Sequence, residues 1–210
     1  IPALTENGTW VMDSPSKPTA ETAACLDRWR DFAQSAQDAF TAAAGTYLDK
    51  NNVVDFYVFL SFICAPDCVQ KNTTFITWDG TKWFFMPYDL DTTFGLHYAG
   101  TSIAYPPDLN LFDNGLAMQV NRTFWKKVRT TFQAEMNARY AELRDNGLFS
   151  QRGVLELARD LLGRYTPELM QAEYEKWPNV PSLSITSLDQ MMDWTRQRIE
   201  YLDTFFSYHQ

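Results

Sequence analysis

The first helix that the sequence predicts is defined by apolar residues that recur every three or four positions. This spacing places one side chain per turn on the same face of a helix. The residues on that face are Leu26, Trp29, Ala33, Ala36 and Phe40. We expect a single helix over residues 20–44, with Thr19 as its N-terminal capping residue and Gly45 at its end.

The next segment is apolar on nearly all sides rather than on one face. Residues 53–63 read VVDFYVFLSFI, and a helix without a polar face is typically buried. We expect this helix to begin at a cap on Asn51 or Asn52, to run to about Cys64 and to be terminated by Pro66.

Two short runs of aromatic and β-branched residues follow the buried helix, at residues 73–78 and 82–88. This composition favours β-strands. Asp79-Gly80 lies between the two runs and is typical of a tight turn. The sequence therefore predicts a β-hairpin directly after the buried helix.

The second half of the chain has a mainly helical pattern, and residues 1–18 and 96–115 are expected to be irregular. Further helices are predicted over residues 116–144, 151–163, 166–176 and 186–207. The predicted fold class is α+β, mostly helical, with one hairpin. Residues 19–210 are expected to form one domain.

Composition and charge exclude several classes of protein. The chain has 210 residues, of which 45% are hydrophobic, so it can form a packed core. Its net charge of −8 argues against non-specific binding to nucleic acid, and no window is apolar enough to span a membrane. Cys25, Cys64 and Cys68 are too few for a disulfide framework and are expected to be small buried hydrophobes.

Four polar side chains stand where the predicted elements end. Asp67 follows the buried helix, Asn72 opens the first strand, and Asp89 and Asp91 follow the second. Because a hairpin places its outer ends side by side, we expect Asn72 and Asp89 to be neighbours, with Asp67 tethered nearby. Carboxylate and amide oxygens are ligands that Mg²⁺ prefers, so the cluster predicts a cation site.

Phosphoryl transfer needs the same residue types in this arrangement. One Asp accepts a proton from the substrate hydroxyl, while an Asn and a second Asp hold the metal that neutralises the phosphates. Asp67 and Asn72 have the D-x-x-x-x-N spacing of the protein kinase catalytic loop. Asp89 follows a short hairpin and precedes Phe94-Gly95, where kinases carry their metal-binding Asp.

The segment DCVQKNTTFITWDGTKWFFMPYDLDTTFG, residues 67–95, resembles the CotH-type family of atypical protein kinases, also called spore coat protein H-like. Members typically show a Lys-Asn or Asn-Asn pair that opens a strand, a Gly turn, and a strand that ends in Trp-Asp-x-Asp-x-x-Phe-Gly. Tyr88 replaces that Trp here. The resemblance covers about residues 53–95 and implies a kinase-like C-terminal lobe whose hairpin carries the metal site.

The resemblance also implies a role for each matched residue. Asp67 would be the catalytic aspartate, Asn72 and Asp89 would be metal ligands, and Asp91 would be a second ligand or a support. Lys71 would contact a phosphate, with a solvated lysine as the alternative. The implied cofactors are ATP and Mg²⁺ or Mn²⁺, and the implied reaction is phosphorylation of Ser or Thr in a protein substrate by this transferase.

A strand lysine and its paired glutamate should also grip the ATP phosphates, but residues 1–50 read as loop and helix. We therefore expect this chain to be a C-lobe whose nucleotide-gripping N-lobe is a separate segment or a partner chain, and to be inactive alone. The alternative is an inactive structural module of a coat, surface or virus-particle assembly. The resemblance implies a spore coat, cell-surface or secreted context.

Two further interpretations rest on single patterns. Asp89 and Asp91 near Trp78 and Trp83 could suggest a glycosidase pair, but carboxylates two apart at a strand end usually diverge. Basic residues cluster in one later predicted helix, and we expect them to form a solvated face, with phosphate contact as an open alternative. They are Arg122, Lys126, Lys127 and Arg129.

Overall fold

The computed structural model describes most of the chain. The described residues are 14, 15, 17, 19–69, 71–96, 105–114, 119–178 and 188–209, without the side chains of residues 119–121. Most of the irregular segment predicted at residues 1–18, and much of the one predicted at residues 96–115, therefore lie outside the described residues.

The described residues form a mostly helical α+β fold with one two-stranded antiparallel sheet, as the sequence predicts. The elements are α1 (Ala20–Gln34), α2 (Gln37–Tyr47), α3 (Lys50–Ile63), a 3₁₀ helix (Pro66–Val69), β1 (Thr73–Ile76), β2 (Phe84–Pro87), α4 (Gln119–Thr131), α5 (Gln133–Asp145), α6 (Gln151–Leu162), α7 (Pro167–Lys176) and α8 (Leu188–Phe205). No helix within the described ranges is both long and apolar enough to cross a membrane.

Helix α3 is the centre of the core, which confirms the prediction of a buried helix. Its side chains pack against β2, α5 and α8, and Val53, Val58 and Leu60 are fully buried. The capping residue is Asp49, whose side chain accepts a hydrogen bond from the backbone N–H of Asn52. The predicted cap on Asn51 or Asn52 is therefore wrong.

The single helix predicted over residues 20–44 is in fact two helices, α1 and α2. Ser35 leaves the helical conformation, and its hydroxyl donates a hydrogen bond to the carbonyl of Phe32. The ammonium of Lys127, on α4, donates hydrogen bonds to the carbonyls of Ala33 and Ser35 at 2.5 and 2.8 Å. A side chain distant in sequence therefore provides hydrogen bonds to the backbone carbonyls at the end of α1. Gly45, which was predicted to end the helix, lies inside α2.

The helix predicted over residues 116–144 is also divided, because Phe132 turns its backbone out of the helix between α4 and α5 while its side chain is buried. The expectation of a solvated basic face on this segment is wrong for two of its residues. Lys127 is buried under α1, and Arg129 packs its guanidinium over Phe205 and Phe206. Lys126 is exposed, as expected.

The hairpin is present, with shorter strands and a longer connection than the sequence predicts. Phe75 pairs with Phe85, and both rings pack toward the core. Residues 77–83 connect the strands, and Asp79 holds this loop by accepting hydrogen bonds from the side chain of Thr77 and the backbone of Thr81 and Lys82. Side-chain capping of the loop replaces the predicted tight turn.

Candidate active site

The site begins where α3 ends. Cys64 adopts a left-handed conformation, and the chain then forms the 3₁₀ helix that contains Asp67. The carbonyl of Asp67 accepts hydrogen bonds from the backbone N–H groups of Lys71 and Asn72, at 2.9 and 3.0 Å. These two backbone hydrogen bonds span the segment from Asp67 to Asn72 and fix both residues at the start of β1.

Asn72 and Asp89 are in contact, as the hairpin argument predicts. The side-chain amide nitrogen of Asn72 lies 3.3 Å from Oδ2 of Asp89. The backbone N–H of Tyr88 donates to the carbonyl of Asn72 at 3.1 Å, which extends the strand pairing to this point. Asn72 is buried and Asp89 is exposed, so the pair extends from the protein interior to the surface.

Asp89 turns the chain immediately after β2. Its φ of 56° lies in the left-handed region, which asparagine and aspartate enter more readily than other residues that carry a side chain. The chain then returns to α3, where the N–H of Phe94 donates to the carbonyl of Ile63 at 2.7 Å. This return brings residues 89–95 to the end of α3, from which the 3₁₀ helix with Asp67 starts.

Asp67 and Lys71 form an ion pair, with 2.9 Å between Nζ of Lys71 and Oδ2 of Asp67. The hydrogen bond to Asp67 is the main reason that the pKa of Lys71 is raised, and the charges of Asp89 and Asp91 raise it further. Lys71 is exposed and Asp67 is largely covered. The lysine therefore lies between Asp67 and solvent.

Cys68 lies beneath the same three carboxylates. Burial raises the pKa of its thiol to about 12, and the charges of Asp67, Asp89 and Asp91 add to that rise. The thiol donates to the carbonyl of Tyr88 at 3.5 Å. All three cysteines are buried and free, as the sequence analysis expects, but the position of Cys68 under the site was not anticipated.

Asp91 is held differently from Asp67 and Asp89, because its Oδ1 accepts a hydrogen bond from the hydroxyl of Thr92. Where the structure describes the chain, no three Asp, Glu, His or Cys side chains are grouped as a metal site. The residues in direct contact are one amide and one carboxylate, Asn72 and Asp89. In this contact the amide of Asn72 directs its nitrogen toward Asp89, whereas a cation would bind the amide oxygen.

The two tryptophans near the hairpin differ in burial. Trp83 is buried, and its ring packs on Trp29 of α1. Trp78 is exposed in the hairpin loop and makes an edge contact with Phe84. Only Trp83 therefore belongs to the packing of the hairpin against the core.

Comparison with known proteins decides the family. The family model described as CotH kinase protein matches residues 17–202. This chain belongs to the CotH kinase family. The match to this family begins before α1, ends within α8, and includes every residue of the candidate site. No curated protein and no solved structure matches the chain.

Proposed function

We propose that this CotH kinase family chain transfers the terminal phosphate of ATP to a Ser or Thr hydroxyl of a protein substrate in a metal-dependent reaction. The observation that carries the proposal is the contact between Asn72 and Asp89, next to Asp67 and inside the family match. These are the residue types that hold the metal and accept the proton in phosphoryl transfer, whose catalysis is mainly positioning and electrostatic stabilisation.

In this proposal Asn72 and Asp89 hold Mg²⁺ or Mn²⁺, and Asp91 supports or completes the ligand set. Mg²⁺ is commonly held by one or two carboxylates together with the phosphates of its substrate. The bound metal would neutralise charge on the phosphates. The amide of Asn72 is held in place by burial, while the exposed carboxylate of Asp89 is accessible to incoming ligands.

Asp67 accepts the proton of the attacking hydroxyl in this proposal. Lys71 binds Oδ2 of Asp67 and thereby orients the carboxylate, and that pair leaves Oδ1 to receive the proton. The ammonium of Lys71 is exposed, so it can also contact a phosphate. Both roles follow from one lysine placed between a carboxylate and solvent.

We assign the remaining contacts with the ATP phosphates to polypeptide outside this C-lobe-like unit, either elsewhere in the same protein or on a partner chain. This part of the proposal rests on the sequence, because residues 19–50 contain no Gly-rich loop followed by a strand with a lysine. In the structure, described residues 20–47 form helices α1 and α2.

Calorimetric titration with MgATP tests the proposal, on residues 1–210 and on the full-length protein as its source organism makes it. We expect metal-dependent binding to the full-length protein and loss of at least tenfold in affinity with Asp89→Ala. Asp31→Ala is the matched control, because Asp31 is exposed on α1 and only reaches Arg30 at 4.0 Å.

A transfer assay separates catalysis from binding. Radiolabelled phosphate from ATP should appear on Ser or Thr of an added protein, and Asp67→Ala should abolish the signal while MgATP still binds. Absence of metal-dependent ATP binding in the full-length protein would refute the proposed reaction. The remaining explanation would then be an inactive kinase-like scaffold.

A further inference from the structure

Helix α8 packs against α3, and two of its buried side chains contact the segments that carry the candidate site. They are Trp194 and Arg198, which are four residues apart and therefore lie on one face of the helix. Arg198 is 1% exposed and Trp194 is 3% exposed. The guanidinium of Arg198 lies over the ring of Trp194, 6.0 Å from its centroid, so the two form one buried pair.

The guanidinium of Arg198 donates four hydrogen bonds, and each of these goes to a backbone carbonyl. Nε and Nη2 donate to the carbonyl of Ser61 at 2.8 and 2.6 Å. Nη1 donates to the carbonyls of Pro107 and Leu109 at 2.8 and 2.6 Å. Because burial of a charge is unfavourable unless hydrogen bonds satisfy it, these four bonds are what allow a cation to lie in this core.

The carbonyl of Ser61, which receives two of these bonds, belongs to the last turn of α3. If the helix continued, the N–H of Ala65 would reach this carbonyl, but it donates to the carbonyl of Leu60 at 3.4 Å instead. A cation at the C-terminus of a helix is also favoured by the helix dipole. Arg198 therefore caps the end of α3, and Asp67 follows Ser61 by six residues.

Trp194 contacts the other segment that carries the site. Its ring meets the ring of Phe94 edge-on, with 6.0 Å between the centroids, and its indole N–H donates to the carbonyl of Tyr105 at 3.0 Å. Phe94 has a φ of 51°, which is unfavourable for a bulky side chain, and it follows Asp91 by three residues. The contact with Trp194 therefore supports the return segment, residues 89–95, at a strained position of its backbone.

We propose that Arg198 and Trp194 are positioning residues of the candidate active site. Arg198 holds the end of α3 that leads to Asp67, and Trp194 holds the return segment that contains Asp89. One face of α8 therefore fixes the two halves of the site relative to each other. This inference rests on the proposed function, in which Asp67 and Asp89 act on the same substrate.

The shape of the guanidinium makes Arg198→Lys the informative substitution. Arginine presents five N–H donors in a planar fork, whereas lysine carries three donors on a single nitrogen. Arg198→Lys keeps the positive charge but cannot reproduce bonds to the carbonyls of Ser61, Pro107 and Leu109 together. It therefore separates the geometry of the cap from its charge.

Arg129→Lys is the matched control. Arg129 also donates to a backbone carbonyl at the end of a helix, that of Phe205 in α8, at 3.1 Å. Its guanidinium lies over the rings of Phe205 and Phe206, as that of Arg198 lies over Trp194. Because these contacts of Arg129 lie outside residues 61–95, the control disturbs a similar cap away from the site.

Hydrogen exchange followed by mass spectrometry on residues 1–210 tests the positioning without any need for activity. Arg198→Lys should make the amides of residues 64–72 exchange about tenfold faster, and Trp194→Leu should do the same for residues 88–96, since each loses its local support. Phe94→Leu removes the same edge contact from the other side, so it gives the second test if Trp194→Leu does not fold. Arg129→Lys should leave both segments within twofold.

Two outcomes of this measurement would overturn the inference. One is unchanged exchange in both segments for the α8 variants. The other is an equal increase in both segments for Arg129→Lys and the α8 variants, because α8 would then support the fold as a whole and not the site.

Kinetics of the full-length protein give a second readout that a general loss of stability would not produce. Arg198→Lys should lower kcat for phosphate transfer about tenfold or more and leave the KM for MgATP within threefold, because it displaces Asp67 and not Asp89. Trp194→Leu should also raise the KM for MgATP, because Asp89 is the proposed metal ligand. Arg129→Lys should change neither constant by more than twofold.

The unmodified full-length protein separates the two ways in which the idea can fail. If it neither binds MgATP nor transfers phosphate, the proposed function is refuted, and the role of α8 in that reaction is refuted with it. If it is active and both α8 variants keep its kcat and KM, the positioning inference alone is refuted.

Discussion

Asn52 and Phe85 are joined by two hydrogen bonds that tie α3 to β2. The side-chain oxygen of Asn52 accepts from the backbone N–H of Phe85 at 2.7 Å, and its side-chain nitrogen donates to the carbonyl of Phe85 at 3.1 Å. The amide of Asn52 thus completes the strand as a neighbouring backbone would. Because β2 leads directly to Asp89, these two hydrogen bonds help to fix the position of the candidate site relative to α3.

Asn52→Ala should lower the free energy of unfolding by about 1–3 kcal/mol, because it leaves the N–H and carbonyl of Phe85 without these partners. Urea unfolding followed by circular dichroism measures the change. Asn51→Ala is the control, since Asn51 is the exposed neighbour on the same helix, and it should change stability by less than about 0.5 kcal/mol. Equal effects at the two positions would contradict the assigned role of Asn52.

Replacement of two glycines by alanine should have opposite effects. Gly80 has a φ of +69°, and a Cβ there would lie 2.6 Å from the sulfur of Cys25. Gly80→Ala should therefore destabilise the protein by about 1–3 kcal/mol. Gly45 lies inside α2 with open space around it, so Gly45→Ala should stabilise by about 0.5–1 kcal/mol. Thermal unfolding of both variants checks the two signs.

Cys68 should make stability fall at alkaline pH. Its pKa is raised from 9.0 to about 12 in the folded protein, so below pH 9 both states keep the thiol proton. Between pH 9 and 12 the unfolded chain releases that proton and the folded protein retains it, which favours unfolding as pH rises. Urea unfolding at several pH values should show a shallower fall for Cys68→Ala than for the unmodified protein.

The comparison variant for this experiment is Cys25→Ala, which also removes a buried thiol. If Cys68→Ala showed the same slope as Cys25→Ala, the thiol of Cys68 would not be the cause of the pH dependence.

Lys71→Met should reduce the rate of phosphate transfer more than it reduces MgATP binding, because it releases Asp67 from its ion pair. Asp67→Asn should cost about 10²–10⁴ in rate, the usual contribution of a general base. Steady-state kinetics with the full-length protein measures both effects. Lys82→Met, in the hairpin loop, is the control and should leave the rate within twofold. If it lost as much rate as Lys71→Met, the loss would come from the removal of a positive charge and not from the release of Asp67.

Much of the candidate site could be read from the sequence because its geometry is local. Asp67, Asn72 and Asp89 are separated by one 3₁₀ helix and one hairpin, and a hairpin necessarily brings its outer ends together. The role of Cys68 could not be read in this way. Its environment depends on the return of residues 89–95 to α3, which is set by turns with positive φ at Asp89 and Phe94.

The sequence by itself determined the buried helix, the hairpin and the helical character of the second half, because apolar periodicity and turn residues act over a few neighbouring positions. Only the tertiary structure decided where helices end. The ammonium of Lys127 caps α1 from 94 residues away, and Asn52 serves β2 rather than the start of its own helix. Periodicity cannot anticipate such ends, because a buried backbone group accepts whichever partner the packed fold brings to it.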